Sequence, residues 1–251
     1  MGASYQEGAE RFYDLFGEKD DIEFYVDQAM KHGGKALELG VGTARLAIQL
    51  ARAGVEAWGI DTSQHMLDAA ERNIAEEDPE TQARLHMVLG NAVDFRLPEK
   101  FSMICFPSCS FDHILDPMDQ RAALLNIKKH LAPEGYYVFD LYPVKELKAD
   151  KGWVVQRKEL EDGAKVIRSG YHVTKPEQRL MSLDMWYDHV VDGRVAKRFY
   201  EGSDVYVHDV EGVRALLDET GYMIVEEYGD HHGNPYKEGD GLIVFVTRPK
   251  R

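Results

Sequence analysis

The sequence predicts an α/β fold: a seven-stranded, mostly parallel sheet with an antiparallel β cap inserted late in the chain. Three observations carry this expectation. From Lys35 to Leu141, short apolar runs alternate with segments of helical period, a pattern that requires parallel strands joined by right-handed crossovers. The run Ala36-Leu37-Glu38-Leu39 ends in a glycine turn, Gly40-Val41-Gly42-Thr43, and the next run ends on Asp61. Beyond Trp153 the alternation stops, and β-patterned segments are instead separated by the turn pairs Asp162-Gly163, Lys175-Pro176 and Asp192-Gly193.

The elements follow in order. Phe12, Tyr13, Leu15 and Phe16, then Ile22, Phe24, Tyr25, Val26 and Met30, are spaced for two amphipathic helices broken near Gly17, so residues 1–34 are expected to form a helical lid over the sheet. Strands are expected at Lys35 to Leu39, Val55 to Ile60, Arg84 to Leu89, Met103 to Phe106 and Tyr136 to Leu141. The helices between them cover Ala44 to Arg52, Ser63 to Ala75 and Gln120 to His130, the last ending at a Pro133-Glu134-Gly135 turn. Strands Val154 to Glu159, Ala164 to Thr174, Arg179 to Val191 and Arg194 to Val207 make the cap. Helix Val210 to Thr220 and strands Met223 to Tyr228 and Gly241 to Thr247 return to the main sheet. The expected division is a lid at 1–34, a core at 35–144 and 209–251, and a cap at 145–208.

Composition narrows the function. With 251 residues and 44% hydrophobic content, one large core with an insertion is expected. The 44 acidic against 30 basic residues give a formal charge of -14, which repels phosphate backbones and anionic lipid within a Debye length of about 8 Å. Neither nucleic acid nor membrane is therefore expected as a partner, and Lys128-Lys129-His130 reads as a solvated helix end. The first residues show no cationic and apolar leader pattern, and the longest uncharged apolar run, Phe101 to Phe111, is far short of the ~20 residues that span a bilayer, so a cytoplasmic chain is expected. Cys105 and Cys109 read as reduced buried thiols, and no metal site is expected.

A strand, a glycine turn and a following strand that ends on an acid is how an open α/β sheet holds an adenosine-containing ligand. A dinucleotide fingerprint needs a third glycine where Arg45 stands, which disfavours a pyrophosphate and with it a dehydrogenase. Glu38, two residues before Gly40, instead offers a carboxylate for an ammonium group, as in an amino-acid-like ligand.

On these residues the chain resembles the class I S-adenosylmethionine-dependent methyltransferases, a Rossmann-like family. Glu38-Leu39-Gly40-Val41-Gly42-Thr43 is similar to their acid-x-Gly-x-Gly-Thr motif, Gly59-Ile60-Asp61-Thr62-Ser63-Gln64-His65-Met66-Leu67 to the second motif, and Gly90-Asn91-Ala92-Val93-Asp94-Phe95 to the third, with Asn91 where Asp is usual. Leu131-Ala132-Pro133-Glu134-Gly135-Tyr136 resembles the L-x-P-G-G turn, with Glu134 in place of the first glycine. The resemblance implies S-adenosylmethionine as cofactor. It implies that Gly40, Gly42 and Thr43 border its methionine part, that Asp61 beside Thr62 takes both ribose hydroxyls, and that Met66, Asn91 and Ala92 meet the adenine.

The wider layout, from Ala9 to Phe16, over Phe101 to Ile114 and through the inserted cap, resembles sugar N,N-dimethyltransferases of the desosamine type and related small-molecule enzymes. Those carry an acidic, tryptophan-rich segment after the fifth strand; this chain has Asp140-Leu141-Tyr142-Pro143. The resemblance implies methyl transfer to a small-molecule acceptor, at nitrogen, with His113 as base or orienter and Tyr13 as a wall of the methyl site. Asp230-His231-His232-Gly233-Asn234 is a candidate substrate loop, and Trp186, Tyr187, Tyr200 and Tyr206 are candidate pocket aromatics or packing residues. A cofactor-binding sensor or assembly subunit without turnover is the alternative. Oligomeric state is not legible.

Overall fold

The computed structural model describes residues 4–5, 12, 15–16, 20–144 and 148–250. In chain order the elements are β1 (Ser4–Tyr5), α1 (Asp21–His32), β2 (Lys35–Leu39), α2 (Arg45–Arg52), β3 (Glu56–Asp61), α3 (Gln64–Ala75), α4 (Pro79–Gln82), β4 (Leu85–Leu89) and β5 (Phe101–Phe106). A 3-10 turn at Ser110–His113 then precedes α5 (Pro117–His130), β6 (Leu131–Leu141), β7 (Lys151–Glu159), β8 (Lys165–Lys175), β9 (Leu180–Val191), β10 (Arg194–Tyr206), α6 (Val210–Glu219), β11 (Tyr222–Tyr228) and β12 (Ile243–Pro249).

Seven strands form one sheet in the order β11-β12-β6-β5-β2-β3-β4, parallel from β6 to β4, with β12 antiparallel to both of its neighbours. Strand alternation sorts the core onto its two faces. Leu37, Leu39, Ile104, Phe139 and Phe245 pack on one side with α5 and α6, and Ala36, Met103, Cys105, Val138 and Val244 pack on the other with α1 and α2. The chain leaves β2 and β5 in opposite directions across the sheet, so their carboxyl ends open a crevice at the switch in strand order.

The second sheet is antiparallel, β1-β10-β9-β8-β7. Its entry and exit are tied together where Val144 N–H donates to the His208 carbonyl at 2.9 Å. The helical reading of residues 1–34 is corrected at its start: Ser4 and Tyr5 form a strand that pairs with Gly202 and Glu201 of β10. Phe12 and Phe16 are helical but pack against the cap residues Val166 and Tyr187, whereas α1 alone lies on the main sheet. Two sequence boundaries also move. Asp116 caps α5 through Met118 N–H at 2.7 Å and Pro117 occupies its first turn, so the helix begins three residues before Gln120. Pro133-Glu134-Gly135 lies inside β6 as an irregularity, where Phe101 pairs with Leu131 but Met103 pairs with Tyr136. Among the described residues, no helix is long and apolar enough to cross a membrane, and no group of His, Cys, Asp and Glu side chains is placed to hold a metal ion.

Candidate active site

The glycine turn is shaped by backbone conformation. Gly40 and Gly42 have φ of +67° and +55°, in the left-handed region that side chains resist. At Gly40 a Cβ would also stand 3.2 Å from Ser110 Cβ and 3.3 Å from Phe106 Cε2, so the turn presses on the segment after β5. Gly42 N–H donates to Asp61 Oδ2 at 2.9 Å, and Ser63 N–H donates to Asp61 Oδ1 at 2.8 Å. Ser63, not Asp61, caps α3, accepting from Met66 N–H at 3.3 Å. Asp61 is therefore held at the end of β3 by backbone donors while each oxygen keeps a lone pair for another donor, as two ribose hydroxyls would require. Burial raises its carboxyl above the ordinary range, against the pull of the Ser63, Gly42 and Thr62 backbone N–H groups.

A cavity of about 490 Å³ opens at this end of the sheet. Glu38, Gly40, Gly42, Thr43, Asp61, Thr62, Met66, Asn91, Ala92 and His113 all line it, so residues spread over 76 positions meet at one site. Tyr13 lies outside the described residues. The volume falls in the range of roughly 300–1,000 Å³ usual for cofactor and small-molecule sites.

Glu38 supplies the most specific observation. It is 4% exposed, and its Oε2 atom has no hydrogen-bond partner. Burial pushes its carboxyl up to about 8, opposed by Arg45 and by the Ala47 backbone N–H and reinforced by Asp21 and Asp61. An orphaned carboxyl oxygen is costly unless something donates to it. At the wall of this cavity, the ammonium of an amino-acid-like ligand fits. The 3-10 turn carries His113, which also lines the cavity. Burial lowers its pKa below the ordinary histidine value, opposed by the Asp204 backbone and the Asp61 charge, so the ring is neutral near pH 7. Its Nδ1 has no partner and can accept a proton or a hydrogen bond.

Several features of the site were not legible in the sequence. Arg45, which displaces the third glycine, forms a two-pronged ion pair with buried Asp21 at 2.7 and 2.6 Å and reaches Ser108 Oγ at 3.2 Å. It thereby joins α1, α2 and the segment after β5 beside the cavity. Asp140, fully buried at the end of β6, accepts from Tyr25 Oη at 2.7 Å, from the backbone N–H groups of Ser108 and Cys109, and from His231 Nε2 at 3.2 Å. Ser108 and Cys109 both have positive φ, so successive N–H groups converge on one carboxylate and set the approach to His113. His231 thus closes this network and does not line the cavity, while His232 is exposed. None of Trp186, Tyr187, Tyr200 and Tyr206 lines the cavity either; Tyr187 is buried beneath Phe16. Ser110, Ile114, Leu115, Asp116 and Asp119 are among the other residues of the wall. Only Asp116-Pro117, a helix-start pattern, could have signalled that the helix begins there.

Known proteins resemble the chain in sequence and in fold. A family model described as methyltransferase domain matches residues 36–135. The dTDP-3-amino-3,4,6-trideoxy-alpha-D-glucopyranose N,N-dimethyltransferase of Streptomyces venezuelae is 27% identical over 247 residues, covering 93% of this chain and 95% of that protein. In fold, the chain is similar to the CcbJ methyltransferase from Streptomyces caelestis, with a TM-score of 0.83, 20% identity and coverage of 98% and 97%. It is similar also to the sugar N-methyltransferase KedS8 from Streptoalloteichus sp ATCC 53650, with a TM-score of 0.74, 20% identity and coverage of 99% and 96%. Motifs, cavity and relatives converge: residues 36–135 match a methyltransferase domain, and the protein is similar to S-adenosylmethionine-dependent methyltransferases along nearly its whole length.

Proposed function

We propose that this enzyme methylates a nitrogen of a small-molecule amine. The observation that carries the reading is His113: a neutral imidazole at the cavity wall whose Nδ1 has no partner. The cofactor supplies a methyl group already activated by a sulfonium. The protein's task is then to hold a nucleophile in line, exclude water and manage one proton. An amine attacks only through a free lone pair, and a neutral, partly desolvated histidine can hold it in that state and take the proton lost as the N–C bond forms.

In this reading Glu38, Gly40, Gly42 and Thr43 hold the methionine part, Asp61 and Thr62 the ribose, and Met66, Asn91 and Ala92 the adenine. Tyr13 walls the methyl position. Residues 35–144 and 209–251 act as the cofactor-binding core, and the cap, 145–208, with the segment at 1–34 selects the acceptor. The S. venezuelae relative is an N,N-dimethyltransferase of an amino sugar, which supports nitrogen and a small acceptor.

The test is a panel of amines, amino sugars included, and matched alcohols and thiols. Product mass and loss of cofactor methyl are read for the parent protein and for His113→Ala and His113→Gln. Turnover on amines with loss of at least ~100-fold in kcat/KM in both variants, cofactor affinity being retained, is expected, because general base assistance contributes roughly 10²–10⁴. Turnover confined to alcohols or thiols, or full activity of both variants, refutes the reading.

A further inference from the structure

We propose that Asp112 and His208 form a buried positioning pair that seats His113 beneath the cap, with the Asp112 carboxyl donating to His208 Nε2 across the join between the 3-10 turn and the cap exit; the role of the pair rests on His113 as the proton acceptor.

Asp112 immediately precedes His113 on the 3-10 turn, and His208 stands where the chain leaves the cap. The cap exit is fixed in place: Val144 N–H donates to the His208 carbonyl at 2.9 Å, and Val207 N–H to the Arg179 carbonyl at 2.7 Å. Asp112 and His208 are 7% and 5% exposed, and Asp112 Oδ1 lies 3.6 Å from His208 Nε2. Neither atom has a hydrogen-bond partner. A buried polar atom without a partner is costly, and here two such atoms face each other. The gap exceeds an ordinary hydrogen bond by about 0.6 Å, an interval that a small side-chain rotation covers.

One proton satisfies both atoms, and the surroundings put it on the carboxyl. Burial and the charge of Asp140 raise Asp112 well above the ordinary carboxylate range. Burial and the Arg179 guanidinium lower the His208 ring to about 4, against the pull of Asp209. A neutral carboxyl is a donor and a neutral imidazole an acceptor, so the pair can bond without placing a net charge in a dry site. Phe111 and Tyr206 pack beside it, their ring centroids 5.5 and 4.8 Å from that of His208.

The consequence falls on His113. Asp140 holds the start of the turn through the Ser108 and Cys109 N–H groups. The end of the turn meets the cap through two consecutive residues: the His113 ring bonds to the Asp204 backbone, and Asp112 faces His208, four positions further along. Because His113 Nδ1 has no partner, the nitrogen bonded to Asp204 is Nε2, and Nδ1 keeps its lone pair. Without the Asp112 contact, one bond alone would hold the end of the turn to the cap, and a displacement of ~1 Å at a reacting group costs about 10²-fold in rate.

The test compares Asp112→Leu and His208→Leu, which each remove one partner, with Asp112→Asn, which keeps a donor, and His208→Gln, which keeps a polar atom near the place of Nε2. Turnover is measured with the most active amine of the panel above. Each leucine variant is expected to lower kcat about 10- to 100-fold, with affinity for S-adenosylmethionine changed less than about twofold. The double leucine variant should lose no more than either single one, and it keeps the test open if a single variant unfolds, since replacing both members of a buried pair by apolar groups is nearly neutral for stability. Asp112→Asn and His208→Gln should stay within about threefold of the parent. NMR of the 15N-histidine-labelled protein, with the His113 signal identified by its loss in His113→Gln, follows the ring itself. Burial holds its titration below the ordinary histidine value in the parent; in the leucine variants the unseated ring gains water, and its titration should move up toward ~6.5, with the acid limb of kcat/KM following. In Asp112→Asn neither should move. Additive losses in the double variant, equal losses in Asp112→Asn and Asp112→Leu, or an unmoved His113 titration in the leucine variants overturns the pair. The ring titration needs no turnover, so a fully active His113→Ala together with a shifted ring in Asp112→Leu would refute His113 as the proton acceptor and still uphold its seating by the pair.

Discussion

Glu38 should make cofactor binding a proton-coupled event. Its carboxyl is buried, has one oxygen without a partner, and is pushed up to about 8. At pH 7 roughly nine of ten such carboxyls hold a proton. An ammonium placed against Oε2 favours the charged form and pulls that value below 7, so close to one proton should leave the protein per cofactor bound. Calorimetric titration with S-adenosylmethionine in phosphate and in Tris at pH 7 measures this directly. The apparent enthalpies should differ by about 0.9 of the difference between the two buffers' ionisation enthalpies. Glu38→Gln should remove that difference and weaken affinity about 10- to 150-fold, the equivalent of the ~1.5–3 kcal/mol of a hydrogen bond to a charged group. The same substitution should flatten the stability profile of the free protein. With its folded pKa above the unfolded value near 4.5, the native state binds more protons between about pH 4.5 and 8, so stability falls as pH rises through that window and should not do so in the variant. Buffer-independent enthalpy in the parent protein would refute the placement of the ammonium at Glu38.

Three further outcomes follow from the same geometry. Asp61→Ala removes acceptors from two backbone N–H groups and from the ribose, and should weaken cofactor binding by at least ~100-fold while costing about 1–3 kcal/mol in urea unfolding; a change under fivefold in affinity would show that the ribose lies elsewhere. Gly40→Ala forces a left-handed alanine and crowds Ser110 and Phe106, so it should lose about 1–2 kcal/mol of stability and also affinity, read by thermal shift with and without cofactor. Burial lowers the His231 pKa, but the hydrogen bond and charge of Asp140 outweigh it and the net shift is upward. That contribution is fully present below the unfolded value near 6.5 and is lost as pH rises through the higher folded pKa, so stability should decline over this window in the parent and be flat in His231→Gln. An unchanged slope in the variant would dissociate His231 from the Asp140 network.

Much of the cofactor site was readable because it is local. Glu38, Gly40 and Gly42 are fixed by the end of one strand and the turn that follows, and Asp61 by the end of the next. Parallel pairing with Leu39 opposite Ile60 then brings the two ends together without further information. The strands of the cap were equally legible, since period-two patterning and turn pairs are properties of adjacent residues. His113 was reached only through the resemblance, since nothing in its immediate neighbours marks a loop histidine as facing a cavity.

Taken alone, the sequence determined the alternation of strands and helices, the glycine turn, the acids that flank it and the switch to an antiparallel cap, because each is written in contiguous residues by period, turn chemistry and charge. Only the tertiary structure decided that Asp21 locks Arg45, that Asp140 gathers Tyr25, two backbone N–H groups and His231, that Ser4 and Tyr5 extend the cap sheet, and that β7 is the last strand in its order. These pairings join residues 24 to 198 positions apart, and chain closure over such distances costs entropy that only the assembled fold repays. No local pattern can announce them, since the partners meet only when both sheets are in place.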